Sequence, residues 1–277
     1  MTRFKKVYLE ITNVCDLRCA FCPGTERAPR FMTESEFGAL LVRLRGWTDY
    51  LYFHLMGEPL LHPALGLFLR RAGEAGFRVC LTTNGTHLPE KTAQLADAPA
   101  LHRVNISMQS WEANPERTPL ADYVRGCASS ASALAAAGKL VSLRLWNGGG
   151  AEARNGEILD ALHEAFPGAW RPAQRNTVLA ERVFLERGEK FDWPRPDAAE
   201  TGAAFCRGLR DQLGILCDGT VVPCCLDAAG ALALGNLLET PLEAILAAPR
   251  ARALYDGFSR RQPSEDLCRR CGYAARF

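Results

Sequence analysis

The sequence contains no apolar run long enough to cross a bilayer. Its longest helical-looking stretch, Leu120 to Leu140, is rich in Ala and Ser and is broken by charge and glycine. No apolar segment follows the basic residues of the opening MTRFKKVYLE, so no secretory leader is expected. Neither sign of charge dominates: 33 Lys and Arg stand against 31 Asp and Glu, and a net charge of +2 leaves no electrostatic footprint for nucleic acid or an anionic membrane. Internal repeats and long low-complexity tracts are also missing, which argues against solenoids and disordered chains.

Cysteine is what the chain has in plenty, with 11 in 277 residues. An odd count without an export signal does not suit a disulfide framework. Clustered cysteines in a reducing compartment point instead to metal or redox chemistry. The expectation is a cytoplasmic monomer with no nucleic-acid and no membrane partner.

The hydrophobic pattern alternates short strands with amphipathic helices. Lys6–Ile11, Tyr50–Leu55, Arg78–Thr83, Arg103–Met108 and Leu140–Trp146 read as strands, and residues near Asn176–Phe184 as a sixth. Helices are expected at about Glu34–Arg45, Pro63–Ala75, from Pro89, at Leu120–Ala137 and at Gly156–Phe166. Thr33-Glu34-Ser35-Glu36 is a capping box for the first. This order predicts the α/β class with a parallel sheet, and five or six units are too few for a closed eight-fold barrel. The pattern changes after Pro194. Leu213–Leu216 and Thr220–Pro223 flank an Asp218-Gly219 turn, helices follow at about Pro241–Ala248 and Ala251–Phe258, and Cys268 and Cys271 lie near the end. Two units are therefore expected, over residues 1–194 and 195–277.

Cys15, Cys19 and Cys22 stand close together in the loop after the first strand. Three thiolates can wrap one face of an iron–sulfur cluster and leave a fourth iron open to a ligand. A zinc site would need a fourth ligand, and the loop offers none. Farther along, Cys206, Cys224, Cys268 and Cys271 can form either a four-thiolate cluster site or a four-cysteine zinc site. Cys225 competes with Cys224, but neighbouring strand residues face opposite sides, so only one of them serves. Cys217 is the weaker candidate. Cys80 and Cys127 read as small buried apolar residues.

Cys15-Asp16-Leu17-Arg18-Cys19-Ala20-Phe21-Cys22 resembles the signature of the radical S-adenosylmethionine (SAM) superfamily, including the aromatic Phe21 before the third cysteine. Met56-Gly57-Glu58-Pro59 is similar to that family's Gly-Gly-Glu-Pro motif, with Met56 in place of the first glycine. The segments Asp218–Asp227 and Leu234–Leu237, followed by the terminal Cys-x-x-Cys, resemble a SPASM/twitch extension. The resemblance implies a partial (β/α)6 radical SAM barrel carrying a small cysteine-rich extension of β-hairpin plus helix. It implies a SAM-binding 4Fe-4S cluster on Cys15, Cys19 and Cys22, and a second, auxiliary 4Fe-4S cluster on Cys206, Cys224, Cys268 and Cys271. It implies SAM contacts from Phe21, Gly57, Glu58, Ser107, Gln109 and Arg117. It also implies a reductant such as flavodoxin or ferredoxin.

In layout the chain is most similar to the 2-deoxy-scyllo-inosamine dehydrogenase family, which oxidises a secondary alcohol of an aminocyclitol. That likeness implies a small-molecule alcohol as substrate, oxidised by two electrons, with the auxiliary cluster as electron acceptor. The alternative is a peptide- or protein-modifying member of the same superfamily. Pocket residues are sought at strand C-terminal ends, among His54, His62, His87, Arg144 and Trp146. Arg144 is the first choice for the catalytic position, because a charge in an apolar strand needs a partner.

Overall fold

A computed structural model describes residues 3–276 apart from 114, 151, 175, 203 and 204. The strands are β1 (Lys6–Leu9), β2 (Tyr50–Phe53), β3 (Arg78–Thr83), β4 (Leu101–Ser107), β5 (Leu140–Gly148), β6 (Arg171–Ala173), β7 (Asn176–Ala180), β8 (Val183–Glu189), β9 (Gln212–Ile215), β10 (Thr220–Val222) and β11 (Gly235–Asn236). They form one sheet in the order β11-β10-β9-β1-β2-β3-β4-β5-β8-β7-β6. β1, β2, β3, β4, β5 and β8 run parallel, giving the six-stranded (β/α) core.

The sixth parallel strand is not where the sequence pattern placed it. Asn176–Phe184 spans two strands: β7 is antiparallel to β8, and β8 alone continues the parallel sheet beside β5. Glu181 and Arg182 make the turn between them, with Arg182 at φ 61°. Two adjoining apolar stretches with no glycine or proline between them read as one strand, which is why the turn escaped the pattern.

Five helices follow the first strands: α1 (Glu34–Leu44), α2 (Leu65–Glu74), α3 (Leu88–Ala96), α4 (Leu120–Ala136) and α5 (Asn155–Ala165). The capping box forms, with the Glu36 N–H donating to Thr33 Oγ1 and the Thr33 N–H to the Glu36 carboxylate. α2 starts two residues later than expected, because Pro59–Leu61 makes a separate 3-10 turn first. The C-terminal helices are α6 (Leu242–Ala247), α7 (Pro249–Ser259) and the short α8 (Asp266–Arg269).

Alternation along each strand divides the molecule into two layers. Val7, Leu9, Leu51, Phe53, Val79, Leu81, Val104, Ile106, Val141, Leu143, Val183 and Leu185 are buried in the main apolar core, on the face the helices cover. The other face carries Tyr8, Tyr52, Thr82, Asn105, Arg144 and Glu186, a mixture of polar and aromatic side chains. The sheet must curve around that second face. β1 and β5 lie four strand spacings apart, about 19 Å if flat, yet Tyr8 and Arg144 line one cavity.

The C-terminal hairpin extends the same sheet. β9 pairs parallel with β1, and β10 returns antiparallel on β9 through the Asp218-Gly219 turn. Gly219 has φ 88°, and a Cβ there would lie 2.6 Å from Asn236 Oδ1, so the turn requires glycine. Sheet continuity thus brings the second cysteine group to the barrel.

Candidate active site and cluster cavities

Cys15, Cys19 and Cys22 sit in the segment between β1 and α1, which is held at both ends. Thr12 bridges Phe31, the Asn13 side chain bonds the Ala28 carbonyl and the Arg30 N–H, and Thr12 Oγ1 donates to the Arg30 carbonyl. Between these anchors the three thiols line one cavity, together with Phe21, Gly57, Glu58, Thr83 and Ser107. Cys15 and Cys22 are exposed, so the cavity opens toward a ligand. Burial pushes all three thiols upward, Cys19 to about 12 despite a hydrogen bond from Ser110. Ionisation to a ligating thiolate then falls to a bound metal.

Gly57 has φ 76°, and a Cβ would overlap the Thr12 carbonyl and sit 2.9 Å from Asn13 Cα. Only glycine lets the turn after β2 approach the cysteine loop this closely. The Glu58 carboxylate is buried and already engaged. It accepts from the Leu60 N–H at 2.9 Å and the Asn84 N–H at 2.7 Å, while desolvation raises its pKa to about 7. Thr83-Asn84-Gly85 is thus tied to the Gly57-Glu58 turn.

Two expected SAM contacts lie elsewhere. Arg117 does not line the thiol-loop cavity; it donates to Asp16 Oδ2 at 2.9 Å, and Asp16 also accepts from Asn84 Nδ2. Gln109 lines a second, adjoining cavity of about 1040 Å³. This central cavity shares Phe21, His54, Thr82, Ser107 and Trp193 with the first.

Of the five strand-end candidates, His54, Arg144 and Trp146 line the central cavity. Arg144 has the partner a charge in a strand requires: its Nε donates to Glu186 Oε2 at 2.9 Å, and its guanidinium stacks 4.7 Å from the Trp146 ring. The His54 imidazole is held neutral, its pKa lowered to about 4 by burial first and then by Arg144 and Lys6. His62 and His87 do not reach the cavity. His62 bonds the Met32 carbonyl and the Ala64 N–H, and His87 lies beside Asp16.

Cys206, Cys224, Cys268 and Cys271 line a third cavity with Phe205, Leu226, Leu232 and Phe258. Cys225 faces the other way, into the central cavity, where it is hydrogen-bonded to Tyr8. Cys217 is buried against Arg27 and Glu10. Among the described residues no three His, Cys, Asp or Glu side chains close on a single ion. The four thiols line one apolar pocket, a donor set that fits a four-thiolate iron–sulfur cluster.

Sequence reasoning missed the residue pair that binds these parts together. Glu10 and Arg27 form a bidentate ion pair at 2.7 and 2.8 Å, with the Glu10 carboxylate fully buried. Glu10 also accepts from the Met56 and Cys217 N–H groups, and Arg27 Nε donates to the Ala228 carbonyl. One carboxylate and one guanidinium therefore join β1, the cysteine loop, the Gly57 turn and the C-terminal hairpin. The available signal was Glu10 ending an otherwise apolar strand.

A radical SAM superfamily model matches residues 9–149, and an iron–sulfur cluster-binding (SPASM) domain model matches residues 206–272. The chain belongs to the radical SAM superfamily: it is a radical SAM enzyme with a SPASM domain, a SAM-binding 4Fe-4S cluster and auxiliary iron–sulfur chemistry. Among solved structures it resembles BtrN in complex with AdoMet and 2-DOIA, at TM-score 0.59 and 18% identity, covering 98% of this chain and 94% of that one. It also resembles Streptococcus suis SuiB bound to precursor peptide SuiA, at TM-score 0.63 and 14% identity, over 99% of this chain and 71% of that one. A probable GTP 3',8-cyclase of Halobacterium salinarum is 32% identical over 125 residues, which is 38% of this chain and 32% of that protein. The matched segment thus spans about a third of that relative. These likenesses agree on the fold and on the radical SAM half, and they differ in what the named proteins act on. No described helix is long and apolar enough to cross a membrane.

Proposed function

We propose that this enzyme dehydrogenates a secondary alcohol of a small hydroxylated molecule held in the central cavity. The supporting observation is the order of the three cavities. His54, Phe21 and Trp193 are walls common to the three-thiol cavity and the central one, while Leu226 and Tyr273 are walls common to the central cavity and the four-thiol one. A substrate in the middle would have a SAM site on one side and a closed cluster site on the other.

With both clusters and SAM bound, these groups would supply the hydrogen-abstracting radical chemistry and an electron acceptor. The protein's own share is positioning, solvent exclusion and proton handling. Arg144, fixed by Glu186 and Trp146, is placed to hold the carbinol oxygen and to stabilise negative charge on it. His54, neutral and on the wall between the two cavities, is placed to accept a hydrogen bond from the hydroxyl, whose proton leaves to water. Aromatic walls from Tyr8, Trp146 and Trp193 keep water from the radical. The assigned cluster ligands are Cys15, Cys19 and Cys22 for the SAM-binding cluster and Cys206, Cys224, Cys268 and Cys271 for the auxiliary one.

The test is anaerobic turnover with SAM, a reductant and alcohols deuterated at the carbinol carbon. Deuterium in 5'-deoxyadenosine, matched one for one by ketone, is expected. Label transfer only from a peptide, or a cross-linked product, would replace this reading with the peptide-modifying one.

A further inference from the structure

The central cavity carries two kinds of feature beyond the roles given to Arg144 and His54. The first is a pair of orphan acceptors. Asn105 is 1% exposed and Gln109 is 7% exposed; both line the cavity, and Asn105 Oδ1 and Gln109 Oε1 are buried without a hydrogen-bond partner. An unpaired buried acceptor has lost its hydration without replacement, and such groups call for a specific explanation. Asn105 Nδ2 donates to Thr82 Oγ1 at 3.2 Å. Two unpaired acceptors on residues lining one cavity ask for a ligand with hydroxyl donors. The planar walls of Tyr52 and Trp146 suit the apolar face of a saturated ring.

The second feature is charge. Lys6, Arg144 and Lys190 line the cavity, and among the described residues no Asp or Glu does. Behind the wall, Glu186 is shared between Arg144 at 2.9 Å and Arg103 at 3.3 Å, so one carboxylate answers two guanidiniums. Asp192 lies 3.9 Å from Lys190. Lys6 has no carboxylate partner among the described residues; its ammonium stands 5.5 Å over the Tyr52 ring. These cations are not counterions for the four-thiol cavity, which no described Lys or Arg lines. The cavity and its exposed edge, where Lys6 and Lys190 stand, therefore hold a surplus of positive charge, which would repel an ammonium group and attract an anion.

We infer that the central cavity selects an anionic polyol: a hydroxylated ring bearing a carboxylate or a phosphate, with hydroxyls donating to Asn105 and Gln109 and the anionic group toward Lys6. This deepens the dehydrogenase reading and rests on it for the identity of the cavity as the substrate site. It also separates this enzyme from one built for an aminocyclitol, whose ammonium group would meet the same cations.

The experiment is anaerobic titration calorimetry on the fully reconstituted protein with SAM and without reductant, so that no radical forms. Four ring compounds serve as probes: glucuronate, glucose 6-phosphate, glucose and glucosamine. At least one of the two anions is expected to bind about tenfold more tightly than glucose, with glucosamine weakest, and the better anion tells carboxylate from phosphate. Lys6→Met, at an exposed position, should remove most of the advantage of the anion and leave glucose unchanged. Asn105→Leu should weaken all four probes alike, with the iron content confirming an intact fold. Glucosamine binding as well as the anions, no binding of any probe, or an anion preference untouched by Lys6→Met would each overturn the inference. Anion-selective binding without deuterium transfer in turnover would support it and sink the dehydrogenase reading alone.

Discussion

The two thiol groups of this molecule are built on opposite plans. Cys15, Cys19 and Cys22 lie within one loop, two of them exposed, on a cavity that also presents backbone and polar side chains. Cys206, Cys224, Cys268 and Cys271 come from three separate segments and are partly buried among Phe205, Leu232 and Phe258. Three ligands from a short loop leave a cluster corner and a polar opening for a cofactor. Four ligands in an apolar setting complete a cluster and shield it, which suits electron transfer rather than ligand binding. Residue number along the chain decides little here. What separates the two thiol groups is how many thiols converge and what surrounds them.

That contrast can be broken from either side. Cys19→Ala should abolish SAM cleavage while the iron content falls from about eight to about four per chain, measured as 5'-deoxyadenosine and by iron analysis. Survival of cleavage would mean that the loop does not carry the activating cluster. Cys224→Ala should also halve the iron but leave uncoupled SAM cleavage with little ketone. Cys225→Ala, which alters the opposite wall, should keep the full iron content, and loss of iron there instead would exchange the two assignments.

The next effect in size is on stability. Removing one partner of the buried Glu10–Arg27 pair, as in Arg27→Met, should cost about 3–5 kcal/mol in chemical denaturation, since it strands a desolvated carboxylate. Because the pair spans both halves, both clusters should become more labile together; loss confined to the loop cluster would show that the pair does not couple them. Gly57→Ala should cost about 2 kcal/mol or more through its left-handed backbone and the Thr12 carbonyl.

The smallest effect is one of pH. The His54 pKa is lowered to about 4, so the folded state favours the neutral imidazole. The stability this lends is present above the unfolded-state value near 6.5 and is lost as pH falls through about 4. His54→Gln should flatten the fall in stability between pH 6.5 and 4 by about one proton, read from denaturation midpoints across that range. An unchanged slope would place the imidazole in contact with water.

Most of the α/β core was legible in the sequence because it rests on local rules. Thr33 and Glu36 made a capping box, Asp218-Gly219 made a turn, and the aliphatic residues of β1 to β5 marked the helix-covered face. The thiol loop was legible for the same reason, since its three cysteines lie within one short segment. The β7–β8 turn was not, because nothing at Glu181 and Arg182 punctuates the chain. Arg117 was placed by family resemblance, which did not reveal that Asp16 would hold it.

By itself the sequence determined the strand–helix order, the three-thiol loop and the presence of a second thiol group, because propensity, capping and ligand spacing act over a few residues. Tertiary structure alone decided that Cys224 and not Cys225 joins the four-thiol cavity, that Glu10 and Arg27 tie the halves together, and that Lys6, Asn105 and Arg144 share one chamber. Those outcomes depend on the curvature of the sheet and on the pairing of β9 with β1, which bring side chains far apart in sequence within range of direct contact.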